Sequence, residues 1–532
     1  MQTKFIIILG SLMSGLGKGV ITSSISKILS FYDYKVLPLK FDGYLNYDSG
    51  TINPYKHGEV FVLEDGAELD MDFGMYERFL NVNLKNELSI TGGKIMTTVI
   101  SKERVGEFLG DDIQIIPHLT GEIIKWVKNV AAKNNLDALV IEVGGTVGDL
   151  ENGYFIEAMR QLSLSEDVEF INLTYIPQVG LSKEQKTKPT QLAYRLLMQL
   201  GIKPDLLICR CGSKLAEKTK EKLALFTNLT NDRIIDDSDV DTIYSMPIML
   251  MAQGADKILL DDLGFKNTRN ERKVREWAEI VDRLSKPKKK VSVAIVGKYT
   301  GADDSYASVK EALVSAGAEL GVGVSIEFID SSLIEKKGYD LSPFDGILVP
   351  GGFGNRGIEG MIAAIKYARE NNMPYLGICL GMQLMCIEFA RNVCGIEGAT
   401  SSEFDKNAEH KIISLMSEQE GVTAKGATMR LGTYGCMIQD KNSLAYGAYK
   451  QERIMERHRH RYEFNNEYRE LFAKGGMVIS GMSPDKNMVE IVEWQNGLGI
   501  GTQAHPEFKS RPGNPAPLFT SFVNLCIRTR KT

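Results

Sequence analysis

The chain has 532 residues, 43% hydrophobic and 25% charged, which suggests about three domains or two large ones and excludes disorder, collagen and coiled coil. With 63 Lys and Arg against 68 Asp and Glu, the net charge of −5 argues against a nucleic-acid protein working through a bulk basic field, though not against local phosphate pockets. The 7 cysteines, without a CxxC pair, suit neither a disulfide scaffold nor structural zinc, and no signal peptide or membrane span is apparent, so a soluble cytoplasmic protein without membrane or nucleic-acid partners is expected.

In chain order, apolar runs at 5–9, 35–40, 138–144, 168–176 and 205–210 predict strands, followed by 291–297, 345–352, 375–379 and 499–505. Such continuous Val/Ile/Leu runs suit strands buried on both faces of a parallel sheet. Helical periodicity at 20–32 and 361–371 lies between them. The fold class expected is α/β, with two doubly wound domains. Residues 267–290 are polar and end in a Pro-Lys run, reading as a helix and a linker. The domains expected are 1–266, a linker at 267–290, and 291–532, the alternative being a surface helix and loop inside one large domain.

FIIILGSLMSGLGKGV reads as strand, Gly-rich loop, lysine, helix. Loop amides and a helix N-terminus form a concave positive site for phosphates. Gly15, Gly17 and Gly19 allow close approach, and Lys18 supplies a point charge. The match to a P-loop is imperfect: Leu12 stands where glycine is expected, and Gly19 where Ser or Thr is expected. The missing hydroxyl removes a usual magnesium ligand, so carboxylates must serve. Asp70, Asp72 and Glu142 are candidates, with Asp72 and Glu142 as the metal pair at the strands' carboxyl ends. Lys40 ends the second strand, and EQKTKPTQ brings Lys186 and Lys188 into a second candidate anion site.

In the second half, Gly377-Ile378-Cys379-Leu380-Gly381 is G-x-C-x-G, the thiol counterpart of the nucleophile elbow. A thiolate there needs a base and an orienting acid. His505 and Glu507 supply both if the turn at Pro506 brings the carboxylate to the far side of the imidazole. PGGFG at 350–354 can donate oxyanion-hole amides. Cys209 and Cys211 read as core, Cys386 and Cys394 as helix packing, and HRHR at 458–461 as an anion contact.

PGGFG, GICLGMQ and HPEF, in that order, resemble a class I (triad) glutamine amidotransferase domain. SGLGKG, HGEVFVLEDGAELDMDFGMYERF, IEVGGTVGDLE and KTKPTQ resemble the P-loop-like amidoligase (synthetase) domain of the CTP synthase family, so the resemblance covers nearly the whole chain. It implies an ATP-dependent ligase that phosphorylates UTP and aminates it with ammonia from glutamine. Gly15, Leu16, Gly17, Lys18, Gly19 and Lys40 would hold ATP phosphates, Asp72 and Glu142 would hold Mg2+, and Ser238, Asp239 and Val240 match the base segment. Ser14, Asp149, Leu150, Glu151, Lys186, Thr187, Lys188, Pro189, Thr190, Gln191 and Lys222 match the UTP site, which also takes CTP as feedback inhibitor. Gly352, Leu380, Gly381, Met382, Gln383, Glu403 and Arg461 match the glutamine site, and Cys379, His505 and Glu507 the triad. The resemblance further implies GTP activation, homotetramers with UTP at subunit interfaces, filaments in some members, and an ammonia channel narrowing near Pro54, His57 and Val60. Two other readings stand beside it: a cobalamin-pathway type amidase with a different acceptor, and a regulatory paralogue with dead sites.

Overall fold

Apolar strands that need cover on both faces supply the centre of each half of this protein. The structure, a computed structural model, describes residues 2–181, 183–287, 289–301, 303–416 and 428–530. The chain forms two units. The first is Met1–Asp48, Met75–Val82 and Asn86–Ser285; the second is Ser49–Gly74, Asn83–Lys85 and Lys286–Thr532.

The first unit holds a seven-stranded, wholly parallel sheet. Its strands lie in the order Ile234–Ser238, Leu206–Cys211, Val168–Tyr175, Lys4–Gly10, Ala138–Val143, Val36–Asp42, Ser89–Thr91. The register sets both Ile8 and Lys40 beside Glu142, so the carboxyl ends of three strands converge. The helix Lys18–Ser30 buries Ile21, Ile25, Ile28 and Leu29, one face at helical spacing.

The predicted helix in 267–290 is Glu271–Ser285, and it packs with the first unit. Trp277 is its one buried residue; Nε1 donates to the Tyr244 carbonyl at 2.9 Å and Lys27 Nζ lies 4.2 Å over the ring. Val274, Ile280, Val281 and Leu284 pack partly buried against the same core, so an apolar stripe at helical spacing lays this otherwise polar helix on the first unit.

The second unit holds a nine-stranded sheet, ordered Gly323–Asp330, Lys290–Gly297, Gly346–Val349, Tyr375–Ile378, Gly499–Thr502, Val489–Trp494, Met477–Met482, Arg430–Ile438, Arg453–His460. The first five pair in parallel. The last four add an antiparallel wing, so the α/β expectation holds and the sheet is mixed. A short hairpin, Val60–Val62 and Glu68–Asp70, comes to this unit from far upstream. No helix among the described residues is long and apolar enough to cross a membrane.

Trp277→Ala should cost about 3–5 kcal/mol, read as a lower midpoint in denaturant unfolding of the first unit. An unchanged midpoint would mean the helix contributes nothing to that core.

Candidate active site

In the first unit the strand Lys4–Gly10 opens into a loop before the helix Lys18–Ser30. Gly15 and Gly17 have φ of 74° and 93°; nothing lies within 4 Å of where a β-carbon on Gly15 would be, and one on Gly17 would meet only Val20 Cβ, at 4.0 Å. The loop is therefore bare on the side a phosphate would approach. Leu12 has φ of 80°, a left-handed backbone that accounts for the expectation of glycine there. Lys18 runs along Gly10, where a β-carbon would come within 2.8 Å of it, and its Nζ donates to the Gly145 carbonyl at 2.7 Å. Ser14 is exposed on the loop.

Lys40 and Glu142 are both buried at the strand ends. Lys40 Nζ lies 3.6 Å from Asp42 Oδ1, and Glu142 accepts a hydrogen bond from the Tyr76 hydroxyl. Asp72 heads the helix Asp72–Leu80, its amide donating to Asp70 Oδ1 at 2.9 Å, and it folds with the second unit. Among the described residues no three His, Cys, Asp or Glu are grouped to hold a metal on their own. A hard carboxylate such as that of Glu142 suits Mg2+ arriving on nucleotide phosphates, which needs only one or two protein ligands.

The residues expected to take UTP lie on three elements. Asp149 accepts the Thr146 amide at 2.9 Å beside the Lys18 anchor, and Leu150 and Glu151 are exposed. Lys186 pairs with Glu184 at 2.7 Å. The Lys186 hydrogen bond, and then the charges of Lys186, Lys222 and Lys218, hold Glu184 below the usual carboxylate range, so these lysines gather round one acid. Lys188 and Pro189 open the helix Lys188–Gln199. Thr187, Thr190 and Gln191 are buried; Gln191 donates to Thr187 Oγ1 at 3.0 Å and Thr190 to the Tyr175 carbonyl at 3.2 Å. These bonds hold the three residues in place in the loop. Ser238 ends its strand, Asp239 pairs with Arg210, and Val240 is half-buried.

In the second unit Cys379 sits between the strand Tyr375–Ile378 and the helix Leu380–Asn392, with φ 50° and ψ −101°. A β-carbon on Gly377 would come within 2.7 Å of the Gly381 backbone, and one on Gly381 within 2.1 Å of the Val349 carbonyl oxygen. Both glycines are required for the turn that presents the thiol. His505 Nδ1 and Glu507 Oε1 are 2.7 Å apart across the 3-10 turn Pro506–Lys509. A β-carbon on Gly351 would lie 3.6 Å from His505 Nε2 and 3.7 Å from Cys379 Cβ, so sulfur and imidazole face the same glycine. Burial opposes charge on His505, but the Glu507 carboxylate and the Cys379 sulfur overcome it and hold the imidazole up at about 10. The charged imidazolium is thus held beside the sulfur.

The thiol opens on a cavity of about 650 Å3. Gly352, Glu403 and Arg461 line it, and so do Pro54 and Val60, whereas His57 is exposed in the short helix Pro54–His57. Glu403 accepts the Gly354 amide at 2.7 Å; burial raises its carboxyl, against that amide and the nearby Lys298. Arg461 donates to Thr428 Oγ1 at 2.8 Å. Leu380, Gly381 and Met382 are buried beneath, and Gln383 donates to the Tyr462 carbonyl at 3.0 Å. These four support the elbow and do not line the cavity.

Several neighbours of the thiol were not singled out in the sequence. Gln503 Nε2 donates toward Cys379 Sγ at 3.5 Å, and the Arg459 carbonyl lies 3.7 Å from the same sulfur. Lys298, buried directly after the strand Lys290–Gly297, donates from Nζ to the Phe353 carbonyl at 3.1 Å, and a lysine just past a buried apolar run was a signal that was there to be used. Gln503 carries no such signal.

An α/β unit with a Gly-rich loop between strand and helix, and a second unit that brings Cys379, His505 and Glu507 together, fit a ligase joined to a glutaminase. Residues 4–265 match the family described as CTP synthase N-terminus, and residues 302–525 match glutamine amidotransferase class-I. A CTP synthase of Caldanaerobacter subterraneus is 48% identical over 535 residues, covering 99% of each chain. One from Methanocaldococcus jannaschii is 46% identical over 536 residues, 98% of each. Among solved structures, the glutaminase domain of Trypanosoma brucei CTPS with bound acivicin is 38% identical and covers 46% of this chain and 96% of that one, with a TM-score of 0.42. The chain belongs to the CTP synthase family, glutamine-hydrolysing ligases with a synthetase and an amidotransferase domain.

The raised His505 value fixes a sign. A group that holds its proton more tightly when folded stabilises fully below its ordinary value of 6.5, and that contribution is lost as pH rises toward about 10. Glu507→Gln removes the main support of the imidazolium. Glutaminase kcat should fall by about 10²–10⁴, and the pH midpoint for iodoacetamide alkylation of Cys379 should move up. An unmoved midpoint would separate Glu507 from thiol activation.

Proposed function

We propose that the protein makes CTP from UTP in two coupled reactions, one in each unit. The observation that carries this is the His505–Glu507 contact of 2.7 Å beside Cys379, in a cavity that also takes in Pro54 and Val60. It supports a working glutaminase next to the segment where the family resemblance puts the ammonia channel.

In the second unit, the Cys379 thiolate attacks the glutamine amide carbon. Amides of Gly352 and Leu380 stabilise the oxyanion. His505 gives its proton to the departing nitrogen, releasing ammonia and leaving a thioester. His505 then takes a proton from water, which attacks the thioester and releases glutamate. Glu507 keeps the imidazole oriented and favours its charged form. Glu403 and Arg461 take the amino and carboxylate groups of glutamine, matching opposite charges in the cavity. Ammonia made out of bulk water stays neutral and nucleophilic.

In the first unit, the amides of Gly15 to Gly19 and the ammonium groups of Lys18 and Lys40 hold the ATP phosphates. Ser238, Asp239 and Val240 border the adenine. Asp72 and Glu142 would hold Mg2+, which neutralises charge on the phosphates being transferred. The uracil 4-oxygen attacks the γ-phosphorus and ADP leaves. Ammonia then adds at C4 and the carbon–oxygen bond breaks, expelling phosphate to give CTP. Phosphorylation is needed because a carbonyl oxygen is a poor leaving group. Ser14, Asp149 to Glu151, Lys186 to Gln191 and Lys222 bind UTP, and CTP at the same place inhibits. GTP activates glutamine hydrolysis, and the enzyme works as a homotetramer.

Cys379→Ala should abolish CTP formation from glutamine and leave formation from ammonium chloride intact, followed by chromatography with UTP, ATP and Mg2+. Lys18→Ala should lower both by about 10²-fold or more, since charge stabilisation of the transferred phosphoryl group is lost. Loss of both activities in folded Cys379→Ala would overturn the division of labour.

A further inference from the structure

The triad turn packs against the hairpin Val60–Asp70, and the contacts are specific. Phe61 is fully buried, and its ring meets Phe508 edge-on at 5.0 Å between centroids and 66° between planes. Phe508 stacks on the His505 imidazole at 5.1 Å and 11°. Arg457, with no exposed surface, donates to the Val62 carbonyl at 3.1 Å, 395 residues upstream, and to the Phe508 carbonyl at 3.4 Å. The hairpin tip is fastened to the strand Arg430–Ile438: the Thr433 amide donates to the Glu64 carbonyl at 3.0 Å, and a β-carbon on Gly432 would come within 2.7 Å of that oxygen.

The thiol is backed by the same hairpin. Arg459 Nε donates to Glu68 Oε1 at 2.8 Å, and the Arg459 carbonyl is the one that meets Cys379 Sγ. The imidazole must keep Nδ1 on Glu507 and Nε2 toward the sulfur, and any turn of the ring spoils both. Gly351 leaves room for nothing larger beside His505 Cε1, where a β-carbon would come within 2.8 Å. Phe508, stacked on the ring, fixes its plane, and Phe61 fixes Phe508.

We propose that the hairpin Val60–Asp70 is a positioning element of the glutaminase, with Phe61 and Phe508 holding the plane of the triad imidazole. This rests on the reading of Cys379, His505 and Glu507 as the triad. The hairpin's continuation carries Asp70 and Asp72, so the segment that steadies the imidazole leads directly to the carboxylate assigned to nucleotide-bound metal.

The test is made on the full chain with Phe61→Ala and Phe61→Leu. For Phe61→Ala, glutaminase kcat should fall about 10–100-fold, the scale expected for a misplaced catalytic group, with KM within about twofold. Alkylation of Cys379 by iodoacetamide at neutral pH should slow in step. CTP formation from ammonium chloride should be unchanged, and Phe61→Leu should recover part of the loss. If Phe61→Ala does not fold, Phe508→Leu is expected to show the same split between kcat and KM. Unchanged glutaminase and alkylation, or parallel loss of the ammonium-dependent activity, would overturn the proposal. Cys379→Ala is run alongside: glutaminase surviving in it would overturn the triad reading itself, whatever the Phe61 variants do.

Discussion

The glutaminase site depends on one close approach, that of the Gly381 backbone to the Val349 carbonyl, which a single methyl group would block at 2.1 Å. The approach lets the helix Leu380–Asn392 start directly behind the strand carrying Gly377. It forces Cys379 into a backbone that non-glycine residues seldom adopt. The strain is held by packing: the Tyr375 hydroxyl donates to the Gly381 carbonyl at 2.8 Å, and Leu380 and Met382 are buried in the core. A sheet that positions its nucleophile this way leaves the sulfur at the carboxyl end of its strands. There the loop Pro350–Gly354 and the turn Pro506–Lys509 also arrive.

The charge on His505 is local. His458 and His460 are equally buried in the same unit, and there burial, with Arg430 nearby, keeps both neutral, His460 down at about 3. Glu490 is near His458 but is taken up by Arg430 at 2.7 Å. His505 differs because Glu507 bonds its imidazole directly. Three histidines in similar burial thus carry opposite charge states, decided by which carboxylate each faces. In the first unit the design is reversed: the lysines are fixed to carbonyl and carboxylate partners and the loop in front of them is open.

The strand–loop–helix passages at 10–18 and at Cys379 were readable because each is set by a few consecutive residues between a buried strand and a helix. The parallel strands were readable for the same local reason. The strand Arg453–His460 was not. Its charges are buried and answered one by one, Glu456 by the Tyr449 hydroxyl at 2.8 Å and Arg459 by Glu68, so no apolar alternation remains to be seen. The strand Gly323–Asp330 sits at the sheet edge and is only half-buried, which weakened its run. Leu380 to Gln383, matched to the glutamine site by family resemblance, are buried at the start of the helix behind Cys379. The hairpin gave no sign of its destination, since contacts spanning 391 residues leave no trace in spacing.

The hairpin also makes the second unit discontinuous in sequence. The chain passes between the two units at 48/49, 74/75, 82/83, 85/86 and 285/286. A gene cut after Ser285 therefore divides the sequence without dividing the units. The downstream fragment would fold with a hole where Phe61 and Glu68 belong, and a peptide spanning 49–74 is the natural piece to fill it in trans. In evolutionary terms, the two halves are no longer modules that a simple recombination at the linker can exchange intact.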